Sequence, residues 1–251
     1  MKLEEKNIIV KRSYKSVYKC DDSIVKVFSE THPKSDVFNE ALITARIEET
    51  GLDIPKVKGV TQIEGKWAIE IEFKDGKTLE EMMNSDKKNI EKYMDDFVDL
   101  QLQVHEKRSP LLKGMKDKFS RQINSLKELD ATTRYELLTR LESMPRHSKV
   151  CHGDFNPSNV IVGKNGKMTV VDWAHATQGN ASADAAMTYL LFALKDQETA
   201  DLYMNTFCKK SDTARQYVQQ WLPIVAAAQL TKDNELEKDF LMKWIDVIDY
   251  Q

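Results

Sequence analysis

The chain has 251 residues, 31% of them charged and 41% hydrophobic, with a net charge of −3. Ordinary globular composition at this length allows a large core, in one domain or two lobes. The near-neutral balance supplies no global basic field for nucleic acid or an anionic membrane, and no apolar run approaches the ~20 residues that span a bilayer. The start, Met1-Lys2-Leu3-Glu4-Glu5-Lys6, is acidic and polar, unlike a signal peptide. Cys20, Cys151 and Cys208 are widely spaced and read as reduced thiols. The expectation is a cytoplasmic protein with no nucleic-acid or membrane partner; no feature specifies an oligomeric state.

Residues 7–28 read as strands, with a turn at Asp21-Asp22. The polar segment 12–16 contains no glycine; Ser13 and Ser16 offer hydroxyl and N–H donors, or form an ordinary hairpin turn. Lys26 interrupts a strand that is apolar on both faces, with Ile24 and Phe28 on its own side and Val25 and Val27 opposite. It is either an edge lysine reaching water or a buried ammonium in need of a partner. Residues 37–50 have helical periodicity, with Ser35-Asp36 as the N-cap and Gly51 as the stop. Glu40 shares that helix's apolar stripe with Val37, Ile43 and Ile47. A stripe-edge surface acid is one reading; a Lys26–Glu40 pair resolves both anomalies at once.

Residues 57–60 and 67–73 read as two more strands, joined through Glu64-Gly65. From Thr78 onward helices take over, at 79–83, 90–107, 111–128 and 132–144. Lys107, Arg108, Lys113, Lys116, Lys118 and Arg121 form a basic run, either a solvated face or a surface for an anionic substrate or partner.

The most informative stretch is Val150-Cys151-His152-Gly153-Asp154-Phe155-Asn156-Pro157-Ser158-Asn159. It leads into two β-branched runs, Val160-Ile161-Val162 and Met168-Thr169-Val170-Val171, separated by Gly163-Lys164-Asn165-Gly166, and then into Asp172-Trp173. The turn makes the runs an antiparallel hairpin, so Asn159 and Asp172 fall at one open end with Asp154 on the loop feeding it. Two carboxylates and a carboxamide give hard oxygen ligands for Mg²⁺ plus an acid free for proton work. The spacing His152-x-Asp154-x-x-x-x-Asn159, then Asp172, follows the kinase order of base, metal ligand and metal ligand.

With Gly153 after the histidine and Asp172-Trp173-Ala174 in place of D-F-G, the pattern resembles the aminoglycoside phosphotransferase and choline kinase family. The resemblance implies an α+β, protein-kinase-like two-lobe fold: a β-rich N-lobe over 1–73 and a mostly helical C-lobe over 74–251 with a catalytic β-hairpin in 150–173. It implies ATP, with GTP as the alternative donor, and Mg²⁺ as cofactors, and a small-molecule hydroxyl as acceptor. Asp154 would be the catalytic base and Asn159 and Asp172 the metal ligands. Lys26 and Glu40 would steady the phosphates under a loop formed by 12–16, including Ser13 and Ser16. Glu72, Phe73 and Lys74 would present the adenine edge at a hinge, which otherwise reads as a plain strand-to-helix connection. His105 and His152 would be structural, and Asp184, otherwise a helix cap, would brace the catalytic loop.

Twelve positions separate Asp172 from Asp184 and no A-P-E follows, which disfavours a protein kinase. A catalytically silent nucleotide-binding module is the other alternative. The remainder reads as helices at 185–194, 199–207, 213–222, 224–230 and 235–248. Trp221 and Trp244 read as core rather than as a cation cage. The acids Asp233, Glu235, Glu237, Asp239, Asp246 and Asp249 are either surface charge or, as in aminoglycoside-acting relatives, a cradle for cations.

Overall fold

The computed structural model describes residues 3–245. The chain forms two compact units, one made of residues up to Ser85 together with Pro157–His175, the other of Asp86–Asn156 and Ala176 onward.

The first unit is built on β1 (Ile8–Lys11), β2 (Lys15–Cys20), β3 (Ser23–Phe28), β4 (Val57–Ile63) and β5 (Lys66–Glu72). They form one antiparallel sheet in the order β1-β2-β3-β5-β4, which places β3 at its centre. The β4–β5 turn uses Glu64 and Gly65, both at positive φ (50° and 79°), the geometry that suits the twist of a two-residue hairpin. Helix α1 (Lys34–Glu48) packs Val37 and Ala41 against Phe28 and Ile69 of the sheet. It begins ahead of the Ser35-Asp36 cap expected from sequence. Pro33 occupies the N-cap position, and its carbonyl accepts from the Asp36 and Val37 amides at 3.0 and 3.4 Å. Proline's fixed φ starts the helix without a side-chain cap.

Strand β6 (Lys77–Thr78) leads into α2 (Leu79–Ser85). Thr78 and Glu81 cap it reciprocally: Glu81 N–H donates to Thr78 Oγ1 at 3.1 Å and Thr78 N–H to Glu81 Oε2 at 2.8 Å. Lys77 and Thr78 pair with Val162 and Ile161, and so tie the later hairpin, Val160–Val162 with Met168–Val170, into this unit.

The second unit is helical: α3 (Ile90–Glu106), α4 (Met115–Ser125), α5 (Ala131–Ser143), α6 (Ala181–Ala193), α7 (Gln197–Ser211), α8 (Arg215–Gln219), α9 (Leu222–Leu230) and α10 (Glu235–Ile245). Helices α6 and α9 are apolar nearly all round and form its buried centre, the pattern expected of helices covered on every side. Phe97, Phe155, Phe192 and Tyr203 pack ring against ring beside them. Trp221 is fully buried, as expected of a core residue. Helix α4 starts later than the expected 111–128, because Gln178 captures the chain ahead of it. Gln178 Nε2 donates to Pro110 O and Leu112 O, and Gln178 N–H donates to Lys113 O. Carbonyls held this way cannot close helical turns. Among the described residues no helix is long and apolar enough to cross a membrane.

Candidate active site

In the β-rich unit the arrangement centres on Lys26. Its strand is flanked on both sides, with Lys26 opposite Val17 on β2 and Ile69 on β5, so it has no edge from which to reach water. The residue is 7% exposed, and its ammonium lies 2.7 Å from Glu40 Oε1 and 2.6 Å from Asp172 Oδ1. Burial alone would strip the proton from a lysine. Here burial is outweighed by Asp172 and Glu40, which hold Lys26 above its ordinary pKa. The anomalies read from sequence, an ammonium in an apolar strand and an acid in an apolar stripe, meet as one ion pair.

Asp172 is the point where the hairpin delivers its charge. Burial works against its ionisation, but Lys26 and then Lys15 keep the carboxyl far below the usual range. Its backbone is left-handed (φ 61°), a conformation that aspartate tolerates better than bulkier residues. The neighbouring Trp173 is buried and anchors the bend, its Nε1–H donating to Val170 O at 3.0 Å. On the opposite strand, Val171 N–H donates to Asn159 O at 2.9 Å, extending the Val160–Val170 pairing by one rung. Asn159 and Asp172 therefore sit at the same end of the hairpin. A carboxylate and a carboxamide are hard oxygen donors that fit Mg²⁺, which retains several waters beside a few protein ligands.

The 12–16 segment differs from the serine-donor expectation. Ser13 lies in the exposed turn, while Ser16 belongs to β2 and pairs with Val27, on the sheet face opposite Lys26. Strand alternation turns the Ser16 hydroxyl away from the Lys26–Asp172 pair. The same alternation places Lys15 on the Lys26 face. Lys15 is 7% exposed, with Nζ 3.9 Å from Asp172 Oδ2. Sequence reasoning passed over it as one of several polar turn residues; the β2–β3 register is what singles it out.

At the predicted hinge, Glu72 N–H donates to Lys56 O at 2.8 Å and Phe73 N–H to Asp22 O at 2.9 Å. Both amides are thereby committed within the unit. The Lys74 ammonium is held by Glu72 Oε1 at 2.9 Å and Asp53 Oδ1 at 3.5 Å. Lys19 lies over the Phe73 ring, 4.0 Å from its centre.

In the helical unit, Asp154 follows the short strand Lys149–Cys151, which pairs with Thr177–Gly179. The loop is suspended from α6 by Asp184. Its Oδ1 accepts from Gly153 N–H at 2.7 Å, and its Oδ2 accepts from His152 N–H at 3.2 Å and lies 2.9 Å from His105 Nε2. Burial works against the Asp184 charge, yet the His105 hydrogen bond and charge, with the Gly153 amide, hold its carboxyl below the ordinary value. Asp184 is not the cap of α6, as its sequence position alone allowed: Asn180 is, with its side chain accepting from Ser182 N–H at 2.9 Å. His105, Asp184 and Cys151 have ligand atoms within 4.8 Å of one another. The carboxylate is already bonded to two amides and to His105, while the Cys151 thiol, pushed up by burial, turns to Lys149 O at 3.6 Å; His105 and Asp184 form a hydrogen-bonded brace of the loop.

Asp154 itself donates its N–H to His152 Nδ1 at 3.2 Å and accepts at its carbonyl from Asn156 Nδ2 at 3.0 Å. Its Oδ1 is 3.0 Å from Lys232 Nζ, just beyond α9. Nothing in the local sequence around Lys232 signals this contact, which depends on the path of α9 through the unit.

The sequence matches the family described as "Phosphotransferase enzyme family" over residues 12–221. No curated protein matches it. Among solved structures, a thermostable mutant of aminoglycoside phosphotransferase APH(4)-Ia in its apo form is 13% identical and superposes with a TM-score of 0.71, covering 99% of this chain and 94% of that one. LicA in complex with AMP is 15% identical, with a TM-score of 0.67 and 98% and 91% covered. ADP-bound aminoglycoside phosphotransferase APH(2'')-Ib is 17% identical, with a TM-score of 0.60 and 98% and 92% covered. These likenesses establish the kinase-like fold, and the family match spans most of the sequence. The chain belongs to the phosphotransferase enzyme family.

Proposed function

We propose that this chain moves the γ-phosphoryl group of ATP, with Mg²⁺, to a hydroxyl of a small molecule. The observation that carries this reading is the Lys26 ammonium, held between Glu40 at 2.7 Å and Asp172 at 2.6 Å. A buried ion pair is often no more stabilising than well-packed apolar residues, so a buried ammonium fixed by two carboxylates points to a need for charge at that place, and a phosphate-binding lysine needs that rigidity. The AMP and ADP complexes of the structural neighbours support an adenine nucleotide as donor rather than GTP.

In this mechanism residues 1–73 bind the nucleotide. Lys26 and Lys15 offer positive charge to its phosphates, and Lys74 N–H, with Glu72 and Phe73 committed elsewhere, serves the base. Asn159 and Asp172 would hold Mg²⁺, which would shield the charge of the transferred group when bound. Asp154 accepts the acceptor's proton as its oxygen attacks phosphorus and ADP leaves. His152 and Asn156 orient the Asp154 backbone. Catalysis is then mainly positioning and electrostatic stabilisation.

A small acceptor is favoured over a protein by the segment after Asp172. Residues 173–175 form a helical turn, 177–179 pair with 149–151, and α6 begins at Ala181, so no loop remains to dock a polypeptide. A silent module is disfavoured by the intact set Lys26, Glu40, Asp154, Asn159 and Asp172.

The test is ATP consumption with Mg²⁺ over a pooled set of small alcohols, including aminoglycosides, choline, ethanolamine, thiamine and sugars. One compound should stimulate turnover that Asp154→Asn removes; nucleotide binding with no acceptor consumed, in the pool or in cell extract, would instead favour the silent module. Lys26→Met should lower kcat/KM for ATP by about 10² or more, the scale of losing one charge-stabilising donor. Lys15→Met, removing the more distant lysine, should raise KM for ATP about tenfold with a smaller change in kcat, measured at saturating acceptor. An unchanged KM in the Lys15 variant would assign that residue to structure alone.

A further inference from the structure

The turn between β1 and β2 closes without glycine. Lys11 pairs with Ser16, and Arg12 N–H donates to Lys15 O at 2.8 Å, so residues 12–15 form a closed loop. None of them has positive φ, the backbone state that calls for glycine. On the β3 side, Ser29 N–H donates to Tyr14 O at 2.8 Å and carries the β2–β3 pairing one step past Lys15 and Phe28. The Arg12 amide and the Tyr14 carbonyl are thereby committed to the hairpin itself. What distinguishes this turn is its side chains.

A row of rings fixes them. Phe28 is buried against α1, and the half-buried His32, in the connection from β3 to α1, stacks on it with ring centroids 4.9 Å apart and planes 25° apart. Tyr14 stacks on His32 in turn, at 5.7 Å and 21°. Both separations fall in the range in which offset-stacked rings attract. Lys15 Nζ then lies 5.9 Å from the centre of the Tyr14 ring, within reach of a cation–π contact, and Arg12 Nη1 donates to Tyr14 Oη at 3.4 Å. His32 is the link in this row, because it joins a turn whose tyrosine is 40% exposed to the buried core of the sheet.

Lys15 is the residue that gains from the support. Its ammonium is 3.9 Å from Asp172 Oδ2, whereas Lys26 reaches the other oxygen of that carboxylate at 2.6 Å. An ion pair at the longer distance holds a four-carbon side chain less firmly, so the ring beside it contributes more to where the charge sits.

The charged runs farther along the chain are engaged locally. Lys116 donates to Glu142 O and Met144 O at 2.8 and 3.0 Å, and Arg121 Nε–H donates to Asp117 O at 3.1 Å. Glu237 accepts from Gln229 Nε2 and Asn234 Nδ2, and Glu235 pairs with Lys238. Asp246 and Asp249 lie outside the described residues, as does the end of the helix expected over 235–248.

We propose that His32 is a positioning residue for the nucleotide phosphates: stacked between Phe28 and Tyr14, it holds the glycine-free turn so that Lys15 is presented beside Lys26. This rests on the phosphotransferase reading above and says how the 12–16 segment serves it. Phosphate is then met by a side-chain ammonium backed by rings, in place of the backbone amides of a glycine-rich loop.

The test is calorimetric binding of two probes to the full chain with Mg²⁺: the non-hydrolysable ATP analogue AMP-PNP, and adenosine, which lacks the phosphates. His32→Ala should weaken AMP-PNP binding about fivefold, the scale of one ring stack, and leave adenosine within about twofold of wild type. His32→Phe, which keeps the row of rings, should restore AMP-PNP binding. In a Lys15→Met background, His32→Ala should add less than about twofold, because the two residues act on one contact. Tyr14→Leu, which removes the ring at the exposed end, should reproduce the His32→Ala pattern and replaces that variant where it is too unstable to assay. Equal losses for AMP-PNP and adenosine would make the stack purely structural and overturn the proposal. So would an unchanged AMP-PNP affinity, full additivity with Lys15→Met, or a His32→Phe variant as weak as His32→Ala. Wild type that binds AMP-PNP in the expected pattern yet moves no phosphoryl group to any acceptor would count against the phosphotransferase reading and leave His32 in its role; wild type that binds no AMP-PNP would overturn both.

Discussion

Asp154→Asn should lower phosphoryl transfer about 10²- to 10⁴-fold, the range over which a positioned general base acts, while nucleotide affinity stays within about threefold of wild type. The substitution keeps the volume and the backbone contacts of the loop. The Asp154 N–H bond to His152 Nδ1 and the Asn156 bond to Asp154 O both involve main-chain atoms that the change does not touch. It removes the proton acceptor and one partner of Lys232. The two consequences separate by measurement: loss of the base lowers kcat, whereas a displaced Lys232 alters KM for the acceptor. Steady-state kinetics with acceptor and ATP varied independently, beside nucleotide binding by calorimetry, reads both. A variant that turns over within tenfold of wild type would remove Asp154 from the role of base.

The parts of this arrangement that were legible in the sequence are those fixed by local rules. A β-branched hairpin with a Gly-bounded turn puts Asn159 and Asp172 at one end whatever surrounds it, and the Val171–Asn159 bond is the realised form of that rule. Lys26 and Glu40 were legible because each violates the polarity of its own element, and two violations resolved by one contact form a strong signal. Helix boundaries set by distant partners were not legible. Helix α4 starts late because Gln178, more than sixty positions away, holds the carbonyls before it.

Lys15 and Lys232 were missed for related reasons. Lys15 gains its meaning from a register that places it, and not Ser16, on the Lys26 face; moving the pairing by one residue would exchange the two. Lys232 gains its meaning from where α9 ends in space. A lysine after an apolar helix is unremarkable in sequence, and only packing brings it to Asp154, 78 positions earlier.

The largest effect on stability is expected at Asp184. Its carboxylate is fully buried and serves the His152 and Gly153 amides together with His105, so it joins the catalytic loop to α6 and α3 at a single point. In Asp184→Asn one oxygen becomes an NH₂ group that faces donors, leaving at least one buried N–H without an acceptor. Breaking a buried charged network in this way costs about 3–5 kcal/mol, which lowers Tm on the order of 10 °C for a protein of this size. The pH dependence has a definite sign. The folded carboxyl titrates below its unfolded value, so its contribution is complete above the ordinary aspartate pKa of about 4 and is lost as pH falls below it. The gap between wild type and Asp184→Asn, measured by urea unfolding, should therefore be constant from about pH 6 to 8 and narrow below about pH 4. Asp184 acts on chemistry only through the loop it holds. At a temperature where the variant is folded, nucleotide binding should survive while kcat falls with the lost order around Gly153 and Asp154. A variant that melts within about 2 °C of wild type would show that the loop is held by other contacts, of which the Thr188 Oγ1 bond to Phe155 O, at 2.9 Å, is the first to test.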